Sequence, residues 1–397
     1  MNTTILPRIP PAVAALGEAM RGWRHHLHAH PETAFEEVQT SAYVAELLKS
    51  FGIEVHTGIA KTGVVGVIPG KAPGPWVGLR ADLDALDIPE ANDFDHRSRH
   101  PGKMHACGHD GHTAMLLGAA RYLAETRDFT GTVAVIFQPA EENEGGGRAM
   151  VEDGLFERFP IESVYGLHNW PGLEAGRFAI RAGAQMASYD IFEITLEGQG
   201  AHAAMPHLGR DSMVAAGQLV GALQTIASRD TNPLDSVVVS VTQIHGGDTW
   251  NVLPQSAVLR GTVRAFSPEV QNLVERRINE IAQGIAATFG IAARVRYERR
   301  YPPTVNAAEP ARLAAAAATA LVGEAAVDTS PGPAMVAEDF AFLQQARPGA
   351  YIWLGAGPGR LGCLLHNPGY DFNDEILTLG ASYWVEVVRR VLGEAKS

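Results

Sequence analysis

An α/β fold with a mostly parallel sheet, carrying an inserted ferredoxin-like α+β domain, is what this sequence predicts. Three observations carry the prediction. The chain has 397 residues, more than the roughly 250–300 that one hydrophobic core serves. Apolar runs bounded by Gly and Pro alternate with helical periods over residues 1–187 and again over 300–397, as in a parallel sheet covered by helices. Between them, residues 188–299 read strand, helix, two strands, helix, strand, which is the split-βαβ order.

The elements follow in chain order. Residues Arg21 to Ser50 read as helix, a turn at His30-Pro31-Glu32, and a second helix with Val38, Tyr43, Val44, Leu47 and Leu48 at helical spacing. TGVVGVIPG and PWVGLRADLDAL read as strands, and His112 to Glu125 as a helix. GTVAVIFQPAEE is a strand running into a polar loop, GRAMVEDGLF a short helix, and SVYGLHNWPG another strand. The alternation in YDIFEITLEGQG opens the inserted domain. DSMVAAGQLVGALQTIAS is its first helix, SVVVSVTQIHGG and SAVLRGTVRAFS are its middle strands. PEVQNLVERRINEIAQGIAATFG is its amphipathic second helix and IAARVRYERRYPP its last strand. ARLAAAAATALVG (helix) and AYIWLGAG (strand) return to the first style. No repeat of 20–50 residues is evident.

Composition narrows the function classes. Hydrophobic residues make up 46 % and charged residues 19 %, as in a folded globular chain. The net charge of −12 argues against nucleic acid and anionic membranes as partners. A local Arg or metal site can still receive a small anionic substrate. Two cysteines, Cys107 and Cys363, make no disulfide framework, and Cys363 reads as a small buried apolar residue. The first residues show no basic region followed by an apolar core, and no apolar run reaches the ~20 residues of a membrane span. A cytoplasmic protein is therefore expected, and the Asn2-Thr3-Thr4 glycosylation pattern carries no weight.

One stretch asks for chemistry. MHACGHDGHT, residues 104–113, holds three histidines, a cysteine and an aspartate. Cys107-x-His109 puts two metal donors in one loop, and further donors follow strand ends: Asp82 and Asp84, Glu141 and Glu142, and His168. Open α/β sheets place their sites at the carboxyl ends of strands. His366 must be brought in by folding. Adjacent glutamates suit a division of labour, one binding metal and the other acting as general base on a metal-activated water. Carboxylates mixed with one Cys and several His fit a catalytic centre better than a closed structural zinc site.

RHHLHAHPETAFEE, LRADLDAL, MHACGHDGHTAMLLGAA, FQPAEENEGGGRAM, GLHNWPG, GQGAHAAMPH, NVLPQSAVLRGTVR, AEDFAF and LLHNPGYDFND run in this order over nearly the whole chain. In these stretches the sequence resembles the M20 metallo-aminohydrolase family, within it the branch of hippurate hydrolases, N-acyl-amino-acid amidohydrolases and auxin-conjugate hydrolases. The resemblance implies a metallohydrolase domain with an inserted lid or dimerisation domain. It implies two divalent ions per subunit (Mn, Zn, Ni or Co), bound by Cys107, His109, Glu142, His168 and His366. Glu141 would be the general base, Asp84 would orient a metal-binding group, and His202, often acting in a partner subunit, would stabilise the oxyanion. Asn251 and Arg264 would hold the substrate carboxylate. Asp82 stands where other branches carry a histidine ligand, so its role is open. His105 and His112 are not ligands in this reading, and His112 is expected to open the following helix.

The implied activity is hydrolysis of a linear amide C–N bond in a hippurate-like N-acyl amino acid, by a homodimer or tetramer. A carboxypeptidase or dipeptidase, a deacetylase of N-acetyl-diaminopimelate, and an inactive binding protein of the same fold are the alternatives. Gly145-Gly146-Gly147 permits either backbone approach to substrate or a tight turn. GAGPGR, residues 355–360, fails as a dinucleotide loop because Arg360 stands at the last position. In DALDIPE the proline sits at 89, later than in the family pattern.

Overall fold

The structure is a computed structural model that describes residues 7–142 and 144–393; the Asn2-Thr3-Thr4 pattern lies outside them. The chain divides into two compact units. One comprises Met1–Gln185, Val305–Gly332 and Asp339–Ser397, the other Met186–Thr304 and Pro333–Glu338.

The first unit is built on an eight-stranded sheet. Its spatial order is Glu54–Ile59, Gly63–Pro69, Thr130–Gln138, Ala72–Asp82, Ile161–Pro171, Gly349–Gly357, Phe178–Ala179, Val327–Asp328. The four strands from Thr130–Gln138 to Gly349–Gly357 are parallel neighbours. The first two strands add an antiparallel edge. Val77, Leu79 and Ala81 join Val133, Val135, Phe137, Tyr165, Leu167, Ile352 and Leu354 in one core. Arg80 and Gln138, which alternate with them along the strands, are buried as well. Burial on both faces is why these strands read as continuous apolar runs rather than as alternating ones.

Helices Gly17–Ala29, Val38–Ser50, His109–Thr126, Ala308–Val322 and Leu377–Leu392 contribute to the same core. His109–Thr126 is held closely: a Cβ at Gly111 would stand 2.3 Å from the Phe372 ring. This helix begins at His109, not at His112, because Gly108 takes φ +91° and turns the chain there. The edge strand Glu54–Ile59 escaped the sequence reading. Only Ile59 in it is buried, so EVHTGI carries no core pattern.

The second unit contains Tyr189–Glu197, helix Ser212–Leu223, Val237–His245, Ser256–Ala265, helix Pro268–Phe289 and Ala292–Tyr301. Its sheet is antiparallel throughout, in the order 237–245, 256–265, 189–197, 292–301. This is the ferredoxin-like arrangement. Asp211 and Ser267 cap the two helices through their side chains, and Gly290 ends the second at φ +64°. Among the described residues no helix is long and apolar enough to cross a membrane. Cys363 is half-buried rather than buried, because it lies in the loop after Gly349–Gly357 and not in the core.

Candidate metal centre

The carboxyl ends of the four parallel strands supply the site. Ala72–Asp82 ends on Asp82 with Asp84 two residues on, and Thr130–Gln138 leads into Glu141 and Glu142. His168 lies near the end of Ile161–Pro171, and the loop after Gly349–Gly357 carries His366. Helix His109–Thr126 adds Cys107 and His109 at its start.

Five groups of three donors occur among the described residues, Asp82 with His109 and His112 being one of them, and two of the five share Cys107. Cys107, His109 and His168 form one of these two, Cys107, Glu142 and His366 the other, each with its donor atoms within 4.8 Å of one another. Cys107 belongs to both, so the two groups meet at its sulfur. His168 Nε2 is 3.5 Å from Cys107 Sγ, and His366 Nε2 is 3.0 Å from Glu142 Oε1. Glu141 neighbours the pair, grouped with His109 and Glu142 in the same way.

The histidines are oriented for ligation. His109 Nδ1 donates to the backbone oxygen of Asp84 (2.8 Å), and His168 Nδ1 donates to that of Asn169 (2.6 Å). In each ring this leaves Nε2 as the nitrogen that faces the cluster, the usual arrangement of a metal-binding imidazole. His109 Nε2 is buried and has no hydrogen-bond partner among the described residues. An orphaned buried nitrogen facing a sulfur and a second imidazole fits a cation at that position.

Electrostatics agree with a site short of positive charge. Burial and the neighbouring Glu142 raise the Cys107 thiol. Hydrogen bonds to Cys107 and Glu142 push His366 up to about 10. Burial opposes protonation of His109, but Asp82 and Cys107 outweigh it and raise the imidazole well above its ordinary value. His168 is held well below its ordinary value by burial and by His112. At Cys107, His109 and His366 the protonated form is favoured, and cation binding there would compete with it, whereas His168 favours the neutral ring a cation would use.

Asp84 ties the two groups together. Beyond its contact with His109, its Oδ2 accepts the backbone N–H of Glu142 at 2.9 Å. Asp82 has different partners. Its Oδ2 takes Arg80 Nη1 at 2.7 Å and its Oδ1 takes His112 Nδ1 at 2.6 Å. Both oxygens are engaged, and the nearest approach to His109 Nε2 is 3.8 Å. Asp82 thus lies on the Nε2 side of His109, with both its oxygens already held by Arg80 and His112. Burial alone would raise its carboxyl, but His109, His112 and Arg80 hold it well below the usual range. His112 is fixed from its other side by the N–H of Asn169 (3.0 Å).

The profile of Peptidase family M20/M25/M40 matches residues 78–390. The chain belongs to this family. It is 40% identical over 390 residues to the N-acetyl-L-cysteine deacetylase of Bacillus subtilis (strain 168), covering 96% of this chain and 90% of that one. It is also 40% identical over 369 residues to the hippurate hydrolase of Campylobacter jejuni, covering 93% and 95%. Among solved structures it resembles the Bacillus subtilis YXEP protein, described as a dinuclear metal binding peptidase. The TM-score there is 0.84 at 34% identity, over 96% of this chain and 99% of that one.

Of the remaining candidates in this M20/M25/M40 chain, His202, Asn251 and Arg264 belong to the second unit. His202 and Asn251 are exposed neighbours on the ribbon formed by Ala201–His202 and Val252–Leu253, where Ala203 N–H donates to the Asn251 carbonyl. Arg264 lies over the Tyr189 ring at 4.2 Å and lines a cavity of about 560 Å³ on the sheet. Gly145, at φ +71°, makes a tight turn into helix Gly146–Glu152, and Gly147 N–H donates to Asp339.

Sequence reasoning missed the buried support. Arg80 donates to Gln138, Asp82 and Asp339, all within 2.9 Å. Asp339 N–H in turn reaches Glu141 Oε1 at 3.3 Å. Glu32, in the His30-Pro31-Glu32 turn, accepts from Gln39 N and Thr40 N and so caps helix Val38–Ser50. Arg80, Asp339 and Asn169 each lie inside motif stretches quoted above, which was the only signal available for them.

Proposed function

We propose that this chain is a two-metal amidohydrolase acting on N-acyl amino acids. It would cleave a hippurate-like amide to a carboxylic acid and a free amino acid. The observation that carries the reading is the cysteine shared between two donor groups, with an adjacent glutamate pair beside it. The chemistry in the names of the two 40% identical relatives, removal of an acyl group from an amino acid's nitrogen, supports it.

Two divalent cations bound through Cys107, His109, Glu142, His168 and His366 would activate a water and polarise the amide carbonyl; the mixed donor set admits Mn, Zn, Ni or Co. Glu141 takes the water's proton as the new C–O bond forms. It then delivers that proton to the nitrogen as the C–N bond breaks. Asp84 keeps His109 and Glu142 in register. His202 donates to the oxyanion. Arg264, a half-buried guanidinium over Tyr189, would grip the carboxylate of the amino-acid half, and Asn251, beyond the opposite end of strand Ser256–Ala265, would join it only from a partner subunit.

The second unit serves as lid and dimerisation domain in this reading. Exposed Met213, Val214, Leu234, Ile244 and Trp250 favour a homodimer. The description of the solved relative as a peptidase favours dipeptides as the second substrate class.

The test is amine release from benzoyl-, acetyl- and indoleacetyl-amino acids and dipeptides. Metal-stripped protein is compared with the same protein after manganese is restored. Turnover that returns with metal is expected, and the best substrate names the acyl pocket. Absence of turnover on every member, with metal demonstrably bound, would refute the reading.

A further inference from the structure

We infer that Glu37 is a positioning residue that sets the direction of the Glu141–Glu142 pair. The inference rests on the reading of that pair as base and metal ligand.

Glu37 occupies the N-cap position of helix Val38–Ser50 but makes no capping bond there. The cap is made by Glu32, which takes Gln39 N–H at 3.2 Å and Thr40 N–H at 2.8 Å. The Glu37 carboxylate, fully buried, is thereby left for another task. Its Oε1 accepts the backbone N–H of Ala140 at 2.8 Å, across 103 residues of chain. Its Oε2 accepts the hydroxyl of Thr62 at 2.6 Å.

Ala140 is the residue immediately before the glutamate pair, and it stands at φ +51°. A left-handed conformation costs a residue with a Cβ about 1–2 kcal/mol, and persists where surroundings over-determine it. Two bonds do so here. Glu37 holds the N–H of Ala140, and Gly146 N–H holds its carbonyl at 2.9 Å. The reversal at Ala140 sends Glu142 N–H to Asp84 Oδ2 and Glu141 toward His109. Without the first bond, a buried N–H loses its acceptor, and the chain is free to leave the strained conformation.

The same segment holds the other side of the site. The Glu32 carbonyl accepts Ala85 N–H at 2.8 Å, next to Asp84. The segment from the His30-Pro31-Glu32 turn to Glu37 thus touches both loops that orient the donors.

Two variants separate reach from charge. Glu37→Gln loses the charge but can still accept from Ala140 N–H and meet Thr62. Glu37→Asp keeps the charge but is one methylene too short. Both are compared with wild type by manganese titration of the metal-stripped protein, by kcat and KM on the best amide, and by amide hydrogen exchange of the 139–146 segment. In Glu37→Asp we expect the weaker of the two metal equivalents to lose about 10–100-fold in affinity. Its kcat should fall by up to about 100-fold at nearly constant KM, with faster exchange in the segment. Glu37→Gln should stay close to wild type in all three. A folded Glu37→Asp protein with wild-type metal affinity and kcat overturns the proposal, as does a Glu37→Gln protein damaged equally. Wild-type protein that binds none of manganese, zinc, nickel or cobalt would instead refute the functional reading, and the proposal with it.

Discussion

Arg80 and Trp250 stand at opposite extremes of this chain. Arg80, in the first unit, is a guanidinium sealed among Gln138, Asp82 and Asp339. Trp250, in the second, is a large indole fully exposed to solvent. The contrast extends to the units they belong to. The first buries Arg24, His28, Glu37, Arg80, Asp82, Asp84, Asp110 and Asp339. The second exposes Met205, Leu208, Met213, Val214, Leu234, Ile244, Trp250 and Val252. Buried charge is costly unless each group is paired, so an interior of this kind marks a place where side chains are held in fixed directions. Exposed apolar surface is tolerated where something covers it. The first unit thus holds most of the buried charge and the second most of the large exposed apolar side chains among the described residues.

The largest effect is expected from the reacting group itself. Glu141→Gln should lower kcat by about 10²–10⁴-fold while the metal content measured by elemental analysis stays at two per chain. Undiminished turnover would remove Glu141 from the chemistry. Next comes the pairing around Arg80. Arg80→Met leaves Asp82 and Asp339 without their cation, and breaking such a pair costs about 3–5 kcal/mol. Urea unfolding followed by tryptophan fluorescence reads it; a loss below about 1 kcal/mol would mean that the buried pairs contribute like surface ones.

The pH dependence of stability probes the same interior more gently. Burial would lower the His28 imidazole, but its bonds to Asp110 (2.9 Å) and Glu90 (3.1 Å) raise it to about 9 against the opposing charge of Arg24. The folded state therefore holds this proton more tightly than the unfolded chain. The contribution is complete below about pH 6.5 and is lost as pH rises through about 9. It is on the order of 3 kcal/mol. Urea midpoints should fall over that window in wild type, and the slope should flatten in His28→Gln. An unchanged slope would place the proton elsewhere.

The smallest effect on stability, and the clearest test of the second unit, is Trp250→Ser. The substitution should leave stability within about 0.5 kcal/mol. Sedimentation should nonetheless shift toward monomer if this surface is an interface. A dimer of unchanged affinity would show that the exposed indole serves another purpose.

These two characters were unequally legible. Strand and helix types follow from local periodicity, and the second unit's element order was readable because its sheet has one buried face and alternates accordingly. The first unit's strands were recognisable as apolar runs, yet Glu54–Ile59 at the edge, with little to bury, left no pattern. The donors were legible because Cys107, His109, Glu141 and Glu142 crowd into two short stretches. Their supports were not. Arg80 and Asp339 are 259 positions apart, and Arg24 and Asp110 are 86 apart.

What the order of residues settles here is local: which segments alternate, where Gly and Pro interrupt them, and which side chains are capable of binding a cation. Periodicity and donor chemistry act over a few positions, so they survive in a one-dimensional string. The folded chain settles the rest. That Cys107 serves two donor groups, that Asp82 meets His112, and that Glu37 reaches Ala140 all depend on close approach between segments far apart in sequence. A buried charge must find its partner in space, and nothing in its neighbours along the chain says which partner that will be.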